Sequence, residues 1–142
     1  MSNIQFIDHT EEVQGLIAEL AYKALEEAAG ELESQVKNNT AVDTGQLKGS
    51  WSHRVTGSMM AGEFEAQIGS PMENAIWEEF GTGEYAMYGK GRKGGWSYKD
   101  DKWGVWWHTK GKHPRRPFHN AYTALKNKLI RHIQNVFKEG MS

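Results

Sequence analysis

A few residues have the types and spacing that catalytic sites use. The triplet Asp43-Thr44-Gly45 is the one that aspartic proteases carry, where two such carboxyl groups share one proton because like charges ~3 Å apart cannot both ionise. In those enzymes the triplet follows a buried apolar strand, whereas here it follows the polar end of a predicted helix. No second apolar strand ending in glycine follows to hold the loop. The sequence therefore favours a turn in which Asp43 caps backbone N–H groups.

Histidines and paired acids are the other candidates for chemistry. Neutral imidazole is a common metal ligand, and His108, His113 and His119 lie close together in the sequence. None has the i, i+4 spacing on a predicted helix that zinc hydrolases use, and the chain has no Cys. The adjacent Glu78 and Glu79 would point about 100° apart on a helix and would not converge on a substrate. We therefore predict no catalytic, metal or cofactor site. An aspartic protease stays as a third alternative, which loss of substrate cleavage in an Asp43→Asn variant would indicate.

A basic segment rich in tryptophan has the most specific composition. Residues 90–116 contain nine Lys and Arg, two Asp and four of the six Trp. Such a segment can neutralise phosphates while stacking on bases, or it can form a protein interface, where Trp and Arg are over-represented. In a third interpretation the tryptophans pack across a hairpin, and the Lys and Arg side chains remain solvated. The candidate residues for an assembly interface or a DNA-facing surface are Lys90, Arg92, Lys93, Trp96, Lys99, Lys102, Trp103, Trp106, Trp107, Lys110, Lys112, Arg115 and Arg116.

Charge is distributed unevenly along this chain of 142 residues, although the formal net charge is −1. Residues 8–37 carry eight acidic and two basic residues, so the N-terminal part of the chain is acidic, whereas residues 90–116 are basic. This asymmetry indicates self-assembly or a charged partner, unless both segments are simply solvated faces. No apolar run approaches the about 20 residues of a membrane span, so we expect a cytoplasmic protein without a membrane partner. One domain, 1–142, with an extended loop or hairpin at 84–116 is expected.

Hydrophobic periodicity predicts two long helices that enclose the rest of the chain. Apolar residues recur every three or four positions after Asp8, which with Glu11 forms a capping box, and residues 38–40 end this helix. Pro117 begins a closing amphipathic helix that runs to Phe137.

Between the helices, alternating apolar and polar residues predict two hairpins, one from 51 to 68 and one from 96 to 109. Pro71 is predicted to open a short helix that Gly81 ends. The fold class is α+β, with long N- and C-terminal amphipathic helices packed on a small antiparallel sheet and a projecting basic, Trp-rich hairpin.

Three segments, at 42–50, 75–82 and 116–121, carry the motifs VDTGQLKGS, AIWEEFGT and RPFHNA. In this order, with a long helix before and after them, they resemble the tail-completion, or head–tail joining, family of tailed bacteriophages, also called minor capsid or morphogenesis proteins. The chain departs from the family in having Asn120 where a second proline is common, and in a longer, Trp-rich stretch before Pro117. The motif residues are Asp43, Thr44, Gly45, Leu47, Ser50, Glu79, Phe80, Gly81, Thr82, Pro117 and Phe118.

The resemblance implies a non-enzymatic virion protein that forms a ring of its own copies at the head–tail junction, around the channel that the genome traverses. Its partners would be head-completion and tail-tube or tail-terminator proteins, with contact to genomic DNA as a further option. We expect the basic hairpin to reach an acidic surface on a neighbour, such as the first helix, with Trp106 and Trp107 as anchors. Reversal of Lys110, Lys112, Arg115 and Arg116 to Glu is expected to stop assembly without unfolding the monomer. A nucleic-acid-binding module that uses residues 90–116 is the alternative function.

In this interpretation Asp43 and Thr44 cap a turn, and Phe80 and Phe118 pack the helices on the sheet. Gly81 is expected to relieve a backbone constraint.

Overall fold

The computed structural model describes residues 8–40, 45–89, 91–101 and 103–142. The elements in chain order are α1 (Thr10–Asn39), α2 (Gln46–Ser50), β1 (Ser52–Ser58), β2 (Glu63–Gly69), α3 (Glu73–Phe80), β3 (Trp96–Lys99), β4 (Trp106–Thr109) and α4 (Pro117–Gly140). Two two-stranded antiparallel sheets are present, one formed by β1 and β2 and the other by β3 and β4. Two 3₁₀ turns, Gly83–Tyr85 and Met87–Gly89, follow α3. The predicted α+β class is confirmed.

The predicted elements agree with the observed ones in type and order. Both hairpins and the closing helix lie where the periodicities predict them. α3 begins at Glu73, two residues after Pro71, and ends at Gly81 as expected. The five-residue α2 is not predicted, because one turn and a half is too short to show a helical period.

The start of α1 differs from the predicted capping box. Asp8 accepts a hydrogen bond from the Thr10 N–H, with an N···O distance of 2.8 Å, and another from the Thr10 hydroxyl. Chiefly the hydroxyl bond, and then the backbone bond, hold the pKa of Asp8 below its usual value. Glu12, and not Glu11, contacts this end of the helix, with Oε2 3.1 Å from Nδ1 of His9. Asp8 therefore caps a backbone donor of the first turn without the reciprocal bond.

Two compact units make up the chain. The first unit contains the described part of Met1–Glu31, together with His53–Ile68 and Lys126–Ser142. The second unit contains the described part of Leu32–Ser52, together with Gly69–Leu125. Each unit therefore combines segments that are distant in the sequence.

Apolar packing and an aromatic contact connect the elements of the first unit. Leu20 of α1 and Val136 of α4 belong to one buried cluster. Tyr22 connects α1 to the β1–β2 hairpin, because its hydroxyl donates to the Gly57 carbonyl oxygen at 2.8 Å and its ring meets Phe64 edge-on at 5.6 Å. One face of that hairpin is therefore covered by the helix.

A chain of hydrogen bonds joins the elements of the second unit. The buried Trp51 donates through Nε1 to the Thr40 hydroxyl oxygen at 3.0 Å, and that hydroxyl donates to the Val36 carbonyl oxygen at 2.7 Å. Asn39 donates through Nδ2 to the Pro117 carbonyl oxygen at 3.1 Å. The end of α1 is thereby fixed against the residues that precede β1 and against the start of α4.

Candidate functional site

The β3–β4 hairpin is the centre of the basic, tryptophan-rich segment. Its register sets Trp106 opposite Lys99 and Trp107 opposite Tyr98. Because successive side chains of a strand point to opposite faces, Trp106 and Trp107 lie on different faces of the hairpin. Trp106 is 67% exposed and Trp107 is 52% exposed. Packing across the hairpin therefore does not hide these rings, and a flat partner surface can meet only one of them.

Backbone contacts anchor this hairpin to the loop that follows α3. The Thr82 N–H donates to the Lys112 carbonyl oxygen at 2.9 Å, and the Glu84 N–H donates to the Lys110 carbonyl oxygen at 2.8 Å. Gly95, with φ 73°, lies so close to the backbone of β4 that a Cβ atom would overlap it. The hairpin therefore has a rigid base, although its strands are exposed.

The bases of residues 90–116 fall into two groups. The Lys112 ammonium pairs with the buried Glu78 carboxylate, and Nε of Arg116 lies 4.0 Å from Oε1 of the buried Glu79. Lys112 and Arg116 are therefore engaged within the chain, and their reversal to Glu would set like charges beside buried carboxylates. The expected effect of the four reversals on assembly and on folding stays a prediction. Lys90 and Lys102 lie outside the described residues. The exposed bases are Arg92, Lys93, Lys99, Lys110 and Arg115.

Glu79 caps the N-terminus of α4 from a different element. Its carboxylate accepts the backbone N–H groups of Phe118 at 2.9 Å and His119 at 3.0 Å. These donors have no partner within the helix, and a negative charge there also complements the helix dipole. Arg116 precedes the helix with φ 53° and has no side-chain acceptor to offer. Glu79 therefore supplies the cap that the local sequence lacks, while Pro117 occupies the first helical position as expected.

The backbone of Glu78 completes this junction. Its carbonyl oxygen accepts the N–H groups of Arg115 at 2.8 Å and Arg116 at 3.0 Å. Gly81 ends α3 with φ 74°, and a Cβ atom there would lie 2.8 Å from the Lys112 carbonyl oxygen. The expectation for Gly81 is confirmed, since both its φ and the space around it exclude a side chain.

α3 has the reverse of the usual amphipathic arrangement. Ala75, Glu78 and Glu79 are buried, whereas Ile76 and Trp77 are 61% and 48% exposed. Phe80 and Tyr88, in a similar way, are exposed and contact each other, with ring centroids 6.4 Å apart. The expectation that Phe80 packs the helix on a sheet is wrong, because α3 buries Glu78 and Glu79 and leaves Phe80 exposed. Phe118 is half-buried and stacks on Tyr122.

Sequence reasoning missed the outward set Ile76, Trp77 and Tyr88. One signal could have indicated it. Glu78 and Glu79 are acids that can pair with the basic segment of residues 90–116. If both carboxylates are buried in such pairs, the opposite side of α3, with Ile76 and Trp77, must be exposed.

The remaining motif residues have structural roles where they are described. Gly45 precedes α2 with φ 68°, and its carbonyl oxygen accepts the Gly49 N–H at 3.0 Å. Leu47 is buried, and the Ser50 hydroxyl lies 2.6 Å from both the Leu47 carbonyl oxygen and the Ser70 hydroxyl. Asp43 and Thr44 lie outside the described residues, so their predicted turn stays a prediction.

The three histidines of the segment have separate surroundings. His113 stacks on Tyr85 with ring centroids 3.7 Å apart, and Nδ1 of His108 lies 3.2 Å from the Ser97 hydroxyl. Within the described ranges, no group of three or more His, Asp or Glu side chains could hold a metal ion. The structure therefore does not assemble these histidines into one site.

The acids of α1 in the first unit are largely paired within the chain. Glu26 lies 2.7 Å from Nε2 of His53, and Glu27 lies 2.6 Å from Nε2 of His132. Glu31 pairs with Lys128 at 2.6 Å. Fewer carboxylates of α1 are therefore available to a partner than the acidic composition of the helix indicates.

Comparison with known proteins identifies the class. A family model described as Bacteriophage HK97-gp10, a tail component, matches residues 4–81, which is more than half of the chain. This match defines the class as a structural component of a phage tail. The chain belongs to the HK97-gp10-like family, and the resemblance to phage tail-completion proteins is confirmed at that level.

The match ends at Gly81, so the β3–β4 hairpin and α4 lie beyond it. Neither the comparison with curated proteins nor the comparison with solved structures found a match. In the part of the chain that is described, no helix has the length and apolar character to cross a membrane.

Proposed function

We propose that this tail component completes the tail at the head–tail junction, where copies of the chain form a ring around the DNA channel. The observation that carries the proposal is the β3–β4 hairpin, whose tryptophans are exposed on a rigid base. Large exposed apolar side chains on an ordered element mark protein interfaces, and tryptophans beside bases are typical anchors. Assembly would cover them.

A closed ring requires a heterologous contact, in which one surface of a copy meets a different surface of the next. The exposed bases of the hairpin would favour an acidic partner and speed encounter more than they add affinity. Copies of the chain, head-completion proteins and tail-tube or tail-terminator proteins are the expected neighbours.

Electron microscopy of particles from a phage with this gene disrupted tests the proposal. We expect filled heads that lie apart from finished tails. Complementation with Trp106→Ser or Lys99→Glu should restore few joined particles, because each change removes an exposed contact of the hairpin. Ile130→Ser and Arg131→Glu are the matched controls on the exposed side of α4 and should restore joining. Infectious, intact particles without the gene would contradict the proposal.

Nucleic-acid binding is the second candidate function. One observation favours it: Lys99, Trp106 and His108 share a face of the hairpin, so that a basic side chain and an aromatic ring are adjacent. This function predicts DNA affinity that falls steeply with salt concentration. Fluorescence anisotropy with labelled DNA at low and high salt measures it. Affinity that Lys99→Glu abolishes would favour this function, and salt-independent or absent binding would exclude it.

A further inference from the structure

The outward side of α3 is an apolar surface that the chain does not cover. Glu73, Ile76, Trp77 and Phe80 have the i, i+3, i+4 and i+7 spacing that puts side chains on one helical face, and all four are exposed. We call these residues the α3 face. α3 contains no Lys or Arg, so Glu73 gives this face a negative charge at its N-terminal end.

A cleft of about 370 Å³ lies beside the α3 face. Trp77, Phe80 and Tyr88 contribute its aromatic lining, and none of the described residues that line it is charged. Tyr88 has φ 68°, a conformation that costs energy in a residue other than glycine, and its ring is 75% exposed. The backbone is therefore held in an unfavourable conformation that places an aromatic ring at the edge of an apolar cleft. Backbone strain of this kind is concentrated at ligand and partner sites.

The β3–β4 hairpin has the complementary features. Trp106 is an exposed indole, and the base Lys99 lies directly opposite it in the register. The α3 face offers an aromatic cleft with the acid Glu73 one turn before Trp77. Each surface thus combines one apolar centre with one charge, and the charges are of opposite sign. Both surfaces belong to the second unit and both are exposed, so the hairpin does not fill the cleft of its own copy.

We propose that the α3 face and its cleft receive Trp106 and Lys99 of a second copy of this chain. The inference rests on the proposed ring and names its contact. α1 is the weaker receptor because Glu26, Glu27 and Glu31 are already paired within their own unit. Since the hairpin and the α3 face are different surfaces, the contact is head-to-tail, and its repetition gives a ring or a filament.

Mixing two variants tests this geometry. Trp106→Ser removes the hairpin anchor and Trp77→Ser removes the receptor, and circular dichroism first establishes that both variants are folded. Mass photometry and sedimentation should then show higher oligomers for the unmodified chain and monomers for each variant alone. An equimolar mixture should form a one-to-one dimer and stop there, because only one productive contact remains. A mixture that stays monomeric, or a Trp77→Ser variant that oligomerises normally, would overturn the inference.

Engineered cysteines identify the contact directly, since the chain has no Cys of its own. A Glu73→Cys copy and a Lys99→Cys copy, mixed under mild oxidation, should form a disulfide-linked dimer. Glu19→Cys, on the exposed part of α1, replaces Glu73→Cys as the control and should give at least tenfold less product with Lys99→Cys. Preferential linkage to Glu19→Cys, or equal linkage to both, would contradict the assignment and point to α1.

Failure of this contact between copies can be distinguished from failure of the proposed joining role. If the gene disruption separates heads from tails but the unmodified chain shows neither oligomers nor the disulfide at high concentration, the joining role stands and this contact is wrong. If disruption leaves particles intact, the joining role fails whatever the copies do in solution.

Discussion

At the scale of single residues, Glu78 and Glu79 show how adjacent acids can have separate structural roles. One carboxylate neutralises Lys112, and the other accepts two backbone N–H groups at the start of α4. Both side chains are buried, with Glu78 4% exposed and Glu79 8% exposed. Buried acids are tolerated here because each has a charged or hydrogen-bonding partner.

Replacing Glu79 with Ala is expected to lower the free energy of unfolding by about 1–3 kcal/mol, because two helix N–H groups lose their acceptor and Arg116 loses its nearby charge. Urea denaturation followed by tryptophan fluorescence measures the change. Glu73→Ala, an exposed acid on the same helix, is the matched control and should cost about 0.5 kcal/mol or less. Equal effects of the two changes would show that Glu79 does not cap α4.

At the scale of elements, α3 and the β3–β4 hairpin are ordered without being buried. α3 is fixed by its inward carboxylates and by the backbone bonds of Glu78, rather than by an apolar face. The hairpin is fixed by its own ladder and by the backbone bonds of residues 82–84. Each element can therefore expose aromatic side chains and keep its conformation, as an interface requires.

Substituting the outward residues of α3 should leave the monomer stable. We expect Ile76→Ser to lower the free energy of unfolding by about 0.5 kcal/mol and Trp77→Ser, at a residue that is 48% exposed, by about 1 kcal/mol, measured at a concentration where the chain is monomeric. Ala75→Leu, on the buried side of the same helix, should destabilise by about 1–3 kcal/mol because a larger side chain at a buried position must displace its neighbours. A large loss for Trp77→Ser would place this ring in the core.

At the scale of the whole molecule, charge and apolar area are separated along the chain. In the first unit three acids of α1, Glu26, Glu27 and Glu31, lie against basic side chains of that unit, whereas the hairpin keeps exposed basic side chains and tryptophans. Leu20, Ala24 and Val136 form one buried cluster of the first unit. The proposed contact between copies would bury exposed apolar side chains and would thereby add to the stability of the folded chain.

The melting temperature should therefore rise with protein concentration. Mass action predicts this for any chain whose folded form self-associates. Scanning calorimetry at about 5 µM and at several hundred µM tests it, with Trp106→Ser as a variant whose melting temperature should not depend on concentration. Added salt should weaken the effect, since Lys99 and the other exposed bases contribute through screened charges. A melting temperature independent of concentration would mean that the folded chains do not associate under these conditions.

The sequence by itself determined the types and order of the main elements, the α+β class and the family. These depend on local patterns: helical spacing of apolar residues, alternation in the strands, Pro117 at a helix start and Gly81 at a helix end. The basic, Trp-rich composition of residues 90–116 also indicated the hairpin as a candidate interface. Each of these features is encoded within a short stretch of chain, so no knowledge of distant partners is needed.

Only the tertiary structure decided which residues of those elements face outward. Lys112 meets Glu78 across 34 positions of the chain, and Glu79 reaches the start of α4 across 39 and 40 positions. These pairings orient α3 so that Ile76, Trp77 and Phe80 face solvent, against the usual preference for apolar burial. The physical reason is that buried carboxylates need partners, and the partners of Glu78 and Glu79 come from a distant segment that folds back on α3.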